Sequence, residues 1–122
     1  MRVPVLKQGE VLIASVQAAL TDQDLIALRD ELSERIGTAR ARGVNVDVTA
    51  LDVLDSFATR TLLGNAYTAR LRGAETVVVG IQPEVAFAMV QLGLTLEGVS
   101  TALDLEEGLL LLRQRRRESG RP

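Results

Sequence analysis

The chain switches repeatedly between strand-type and helix-type patterning, and that alternation limits its fold more than any other feature of the sequence. Residues 3–6 and 11–15 are short β-type runs, and the intervening 7–10 carries Gly9, which predicts an antiparallel hairpin with Gly9 in its turn. From Thr21 the period lengthens. Leu25, Leu28, Leu32, Ile36 and Ala39 fall on one face at helical spacing, while Asp30, Glu31, Glu34, Arg35 and Arg42 fall largely elsewhere. Thr21 or Asp22 is placed to cap this helix, Gly43 stands where a helix commonly stops, and 44–48 alternates apolar and polar residues as a half-buried strand does. Residues 56–72 read as a second helix with Ala58, Leu62, Ala66 and Ala69 along one stripe, ended at Gly73. Residues 76–80 form the continuous apolar run of a strand buried on both faces. A third helix over 85–92, closed at Gly93, follows Gln82, Pro83 and Glu84, with Pro at the first helical position and an acid beside the positive helix end. A last strand over 99–103 leads to Asp104, which begins a final helix with Glu107 as reciprocal cap and Leu105, Leu109 and Leu112 along its face.

The resulting order is β-β-α-β-α-β-α-β-α, so every strand after the hairpin is followed by a helix. Right-handed crossovers then force an α/β fold: a mixed, mostly parallel sheet with an antiparallel strand at its start and four helices. With 122 residues and no long polar linker or repeat, one domain is expected, over 1–112. Residues 113–122 carry five Arg and one Glu, a net +4 that leaves −6 on the remainder, and read as a flexible, solvated tail.

Composition removes much of the enzyme catalogue. Histidine and cysteine are both absent, which excludes a Ser-His-Asp triad, a Cys nucleophile, a His or Cys metal site and any disulfide. An oxygen-ligand site for a hard cation stays open. No glycine-rich phosphate loop follows any strand, so neither an enzyme nor a cofactor is expected. Aromatic residues make up 2% of the chain, which argues against a stacking platform for nucleic acid. No apolar run approaches the ~20 residues that span a bilayer, and the first ten residues lack a signal-peptide core, so no membrane association and a cytoplasmic location are expected.

Parallel sheets present their functional surface beyond the carboxyl ends of the strands, which directs attention to 49–57. Ser56 falls at a helix entrance. Its hydroxyl there is either a structural cap or a phosphate acceptor whose product would face the positive helix end. Asp47, Asp52 and Asp55 lie nearby, but a metal or acid–base role for them lacks a second motif. Arg60, one turn on, is either a solvated helix arginine or a group that pairs with a phosphoserine or a partner.

The acidic loop into Asp55 and Ser56, together with the strand–helix order, resembles STAS domains, the anti-sigma-factor antagonist fold. Residues 80–86, 92–94 and 101–109 further resemble the RsbS-type proteins, small STAS subunits of bacterial stressosomes, and the resemblance covers nearly the whole chain. It implies that the family's phosphoacceptor falls on Ser56. Many antagonists read Asp-Ser-Ser-Gly here and use the second serine, whereas this chain has Phe57 and Ala58, which leaves Ser56; Thr59 and Thr61 are lesser alternatives. Asp52, Asp55, Arg60 and Thr59 are the expected partner-contacting residues. The resemblance further implies a subunit that co-assembles with itself and with larger RsbR-type paralogues, sequesters a switch serine kinase, is phosphorylated and releases it, and is reset by a serine phosphatase. The alternative is a free antagonist that binds an anti-sigma factor under phosphorylation control. A small-molecule-binding or enzymatic domain is disfavoured by the missing His, Cys and glycine-rich loop.

Overall fold

The computed structural model describes residues 3–94, 96 and 98–119. The hairpin forms with β1 at Val5–Gln8 and β2 at Val11–Ser15, paired from Val5 with Ala14 to Gln8 with Val11. β1 therefore begins later than the predicted 3–6. Pro4 has no N–H to donate to a ladder, and only its carbonyl takes part, accepting from Ser15 N at 3.2 Å.

Helix α1 spans Asp22–Ala39 and opens with a capping box: Thr21 Oγ1 accepts from Asp24 N, and the Asp24 carboxylate accepts from Thr21 N, each at 3.1 Å. Leu25, Leu28, Leu32 and Ile36 are buried along it, as the helical spacing predicts. Its end differs from expectation. The left-handed residue that closes the helix is Arg40, φ 53°, while Gly43 opens strand β3 (Gly43–Asp47), where a Cβ would crowd Leu112.

Helix α2 (Ser56–Leu71), strand β4 (Glu75–Val79), helix α3 (Pro83–Gln91), strand β5 (Ser100–Ala102) and helix α4 (Leu105–Ser119) complete the order. α3 starts earlier than predicted because Pro83 itself takes a first-turn position. At α4, Asp104 accepts from Glu107 N at 2.9 Å; the return bond to the Glu107 carboxylate comes from Leu103 N, one residue before the expected place. α4 continues past Leu112 to Ser119; Gly120, Arg121 and Pro122 of the predicted tail lie outside the described residues. None of the described helices is long and apolar enough to cross a membrane.

The strands lie in the order β1-β2-β3-β4-β5, antiparallel at the hairpin and parallel thereafter. On one face Leu12, Ala14, Val44, Val46 and Val78 join Leu32 and Ile36 of α1, Leu62 and Ala69 of α2 and Val85 and Met89 of α3 in one core. Val77 and Val79 point the other way and meet Leu112 of α4, which packs across β3, β4 and β5. The two-sided burial predicted for β4 is thus realised.

β3 departs from its predicted half-exposure. Asn45, polar and expected to face solvent, is 0% exposed, because α4 covers the second face of the sheet; neither end of its amide has a hydrogen-bond partner. Gly108 makes this packing feasible, since a Cβ there would overlap Asn45 Oδ1 and Val79 Cγ1. Gly108→Ala is expected to lose about 1–3 kcal/mol to overpacking despite its helix-propensity gain. Gly64→Ala, on the exposed side of α2 with nothing near its added Cβ, is expected to gain about 0.5–1 kcal/mol. Urea denaturation of the two variants checks the opposite signs.

Candidate functional site

The site grows from the carboxyl ends of β3 and β4. Val48 N still donates to Val79 carbonyl oxygen at 3.0 Å, after which the chain turns, with Leu51 N donating to Val48 carbonyl oxygen at 2.9 Å. Asp47 Oδ1 accepts from both Thr49 N at 2.9 Å and Thr49 Oγ1 at 2.6 Å, a local side-chain turn of the kind aspartate favours. Leu51 and Leu54 turn inward, leaving Asp52 and Val53 exposed between them. Beneath lies an apolar recess of about 100 Å³, lined by Val16, Leu20, Leu28, Leu51, Leu54 and Ala58 among others.

The loop ends at Asp55, and here the structure corrects the simplest reading of Ser56. The cap of α2 is Asp55: its Oδ1 accepts from Ala58 N at 2.7 Å. Ser56 is the first helical residue, half-buried, and among the described residues its hydroxyl makes no hydrogen bond. The N–H groups of Ser56 and Phe57 have no intrahelical acceptor, as at any helix start. The neighbouring hydroxyls differ. Thr61 Oγ1 donates to Phe57 carbonyl oxygen at 2.8 Å, and Thr59 is 1% exposed with its hydroxyl enclosed and unpartnered.

Thr59 therefore does not belong with surface residues that meet a partner. It shares the inward face of α2 with Leu62, Ala66 and Ala69, whereas Ala58, predicted for that stripe, is half-buried beside it. Asp52, Asp55 and Arg60, near Ser56 in the chain, are exposed, as are the apolar side chains of Val53 and Phe57. Among the described residues no three carboxylates converge in a manner that would hold a metal ion. One part of the site had no assigned role in the sequence: Gln82, at the N-cap of α3, makes no capping bond to its own helix and instead donates from Nε2 to Thr49 carbonyl oxygen at 2.7 Å. A glutamine where Ser, Thr, Asp or Asn would cap is the one signal that pointed there.

Comparison with known proteins agrees with this geometry. A point variant of RsbS from Moorella thermoacetica is 36% identical and superposes with a TM-score of 0.82 over 96% of this chain and 99% of that one. A chain of the stressosome, described as a signal integration and transduction hub, is 35% identical with a TM-score of 0.76 over 93% and 99%. The RsbT co-antagonist protein RsbRA of Bacillus subtilis (strain 168) is 33% identical over 70 residues, 57% of this chain, and the match spans only 26% of that longer protein. The model of the STAS domain matches residues 2–108, and with the hairpin, the parallel sheet and the loop into Ser56 in place, the chain belongs to the STAS domain family.

Proposed function

We propose that this protein is a scaffold subunit of a stressosome-type assembly that holds a switch serine kinase and releases it when Ser56 is phosphorylated. The observation that carries the reading is the contrast among three hydroxyls of one helix: Ser56 is uncommitted at the helix entrance, Thr59 is enclosed, and Thr61 is bonded to the backbone. Similarity to RsbS over nearly the whole chain supports the assembly. Similarity to RsbRA supports an RsbR-type paralogue as co-subunit. In this role the chain is substrate and scaffold, catalyses nothing, needs no cofactor and works in the cytoplasm. A serine phosphatase returns it to its starting state.

In the transfer step Ser56 Oγ attacks the γ-phosphorus of ATP bound to the kinase. The new O–P bond forms as the bond to the β-phosphate oxygen breaks, ADP leaves, and the hydroxyl proton passes to a base of the kinase. The product adds a charge of about −1.5 to −2 next to Asp55 and Asp52. Asp55 already holds Ala58 N, so the phosphate has the N–H groups of Ser56 and Phe57 as its nearest free donors. The helix thus tolerates the modification. A docked kinase does not, because its contact with Val53 and Phe57 must now desolvate a dianion among carboxylates. Each tenfold loss of affinity requires about 1.4 kcal/mol, well within what one buried, unpaired charge costs.

Incubation with Mg-ATP and the switch serine kinase, followed by mass spectrometry, is expected to place phosphate on Ser56 and to find none in Ser56→Ala; equal uptake by that variant would overturn the assignment. Ser56→Asp is expected to keep the wild-type circular dichroism spectrum and bind the kinase roughly tenfold more weakly, about 1.4 kcal/mol. Unchanged affinity by calorimetry counts against release by charge. Light scattering separates the scaffold from a free antagonist: a large particle is expected with the RsbR-type paralogue, and a monomer or dimer would favour the antagonist.

A further inference from the structure

The loop that carries Ser56 is held at its other end by groups from a different βα connection. Thr49 is the meeting point. Its N–H and hydroxyl are both bound by Asp47 Oδ1, and its carbonyl accepts from Gln82 Nε2. Gly80, φ 78°, leaves β4 directly against the Thr49 side chain, where any Cβ would overlap Oγ1. Its N–H donates to Ala102 carbonyl oxygen at 3.0 Å, which fixes the β4–α3 connection to β5. Gln82 follows two residues later and spends its side chain on Thr49 instead of on its own helix.

Elsewhere the loop is held by apolar burial, which is not directional. Leu51 and Leu54 are buried in the core and line the apolar recess, while Asp52 and Val53 between them are exposed. Directional polar bonds at Thr49 therefore define where the loop starts, and the Asp55 cap defines where it ends. Between those two anchors the path to Ser56 is short.

We propose that Asp47, Thr49, Gly80 and Gln82 form a cross-loop latch that positions Ser56 for phosphoryl transfer, Gln82 being the positioning residue that ties the loop to α3. This rests on Ser56 being the phosphoacceptor. Attack by Oγ needs the hydroxyl near van der Waals distance from the phosphorus and aligned with the leaving oxygen, so a loop that samples other positions spends less time in reactive geometry. The proposed docking residues, Asp52, Val53, Phe57 and Arg60, are not members of the latch. Opening the latch should therefore lower kcat for the kinase acting on this chain and leave KM nearly unchanged.

The test measures phosphorylation kinetics by the switch serine kinase with Mg-ATP, and amide hydrogen exchange of 49–55 in the isolated protein. Gln82→Ala removes the donor, and Gln82→Glu, of the same shape, sets a carboxylate oxygen against the Thr49 carbonyl. Both are expected to speed exchange over 49–55 and to lower kcat about fivefold, the ratio set by one neutral hydrogen bond, with KM within about twofold. Thr49→Ser keeps the hydroxyl and should retain wild-type kcat, whereas Thr49→Val loses it and should fall with the Gln82 variants. Exchange unchanged in Gln82→Glu overturns the latch, and faster exchange at wild-type kcat overturns its positioning role. If wild-type protein takes no phosphate at Ser56, it is the phosphoacceptor reading that fails, a result distinct from wild-type protein and Gln82→Glu both being phosphorylated there at equal rates.

Discussion

The structure depends on the parallel pairing of β3 with β4 between two helix layers. Val77, Val78 and Val79 are almost wholly enclosed, with Val78 facing α1, α2 and α3 and its two neighbours facing α4. Burial of a valine side chain contributes about 2 kcal/mol, so this one strand anchors both layers at once. The same pairing sets Asp47 opposite Val79 and so brings the ends of the two strands side by side. The bracing of the loop between β3 and α2 follows from that adjacency.

Because the two βα connections leave from neighbouring strand ends, the first can be braced by the second. Thr49 and Gln82 are far apart in sequence yet hydrogen-bonded, and Gly80 permits the close approach that their bond needs. The division of labour at the start of α2, by contrast, is local. Asp55 satisfies the helix end, which frees the next hydroxyl from a structural duty. A serine that also capped its helix would have to give up that bond on modification; here the cap, Asp55, and the proposed acceptor, Ser56, are separate residues.

The absence of histidine and cysteine first reads as a restriction on chemistry, and the site gives it a context. A chain that is modified by another protein needs one accessible hydroxyl, a rigid support and a surface for docking. Val53, Phe57, Asp52 and Arg60, all exposed and close to Ser56 in the chain, are the proposed docking surface, with apolar area for affinity and charges that a phosphate would disturb.

Much of the fold was legible in the residues themselves. Local capping at Thr21 and Asp104, the helical spacing of Leu25, Leu28, Leu32 and Ile36, and the apolar run of β4 depend on neighbours a few positions away. The place of the 49–57 loop was legible as well, because element order alone sets it at a strand's carboxyl end. Distant packing decided the rest. Asn45 follows the alternation of a half-exposed strand, yet α4, arriving from the far end of the chain, buries it; Thr59 follows Ser56 by one turn, yet that turn rotates it into the sheet. Gln82 looks like a poor cap until Thr49 is brought beside it. Sequence by itself determined which segments form strands and helices, and in what order, since periodicity and caps are written in near neighbours; only the tertiary structure decided which polar groups are enclosed, braced or left free, since that depends on what packs over them.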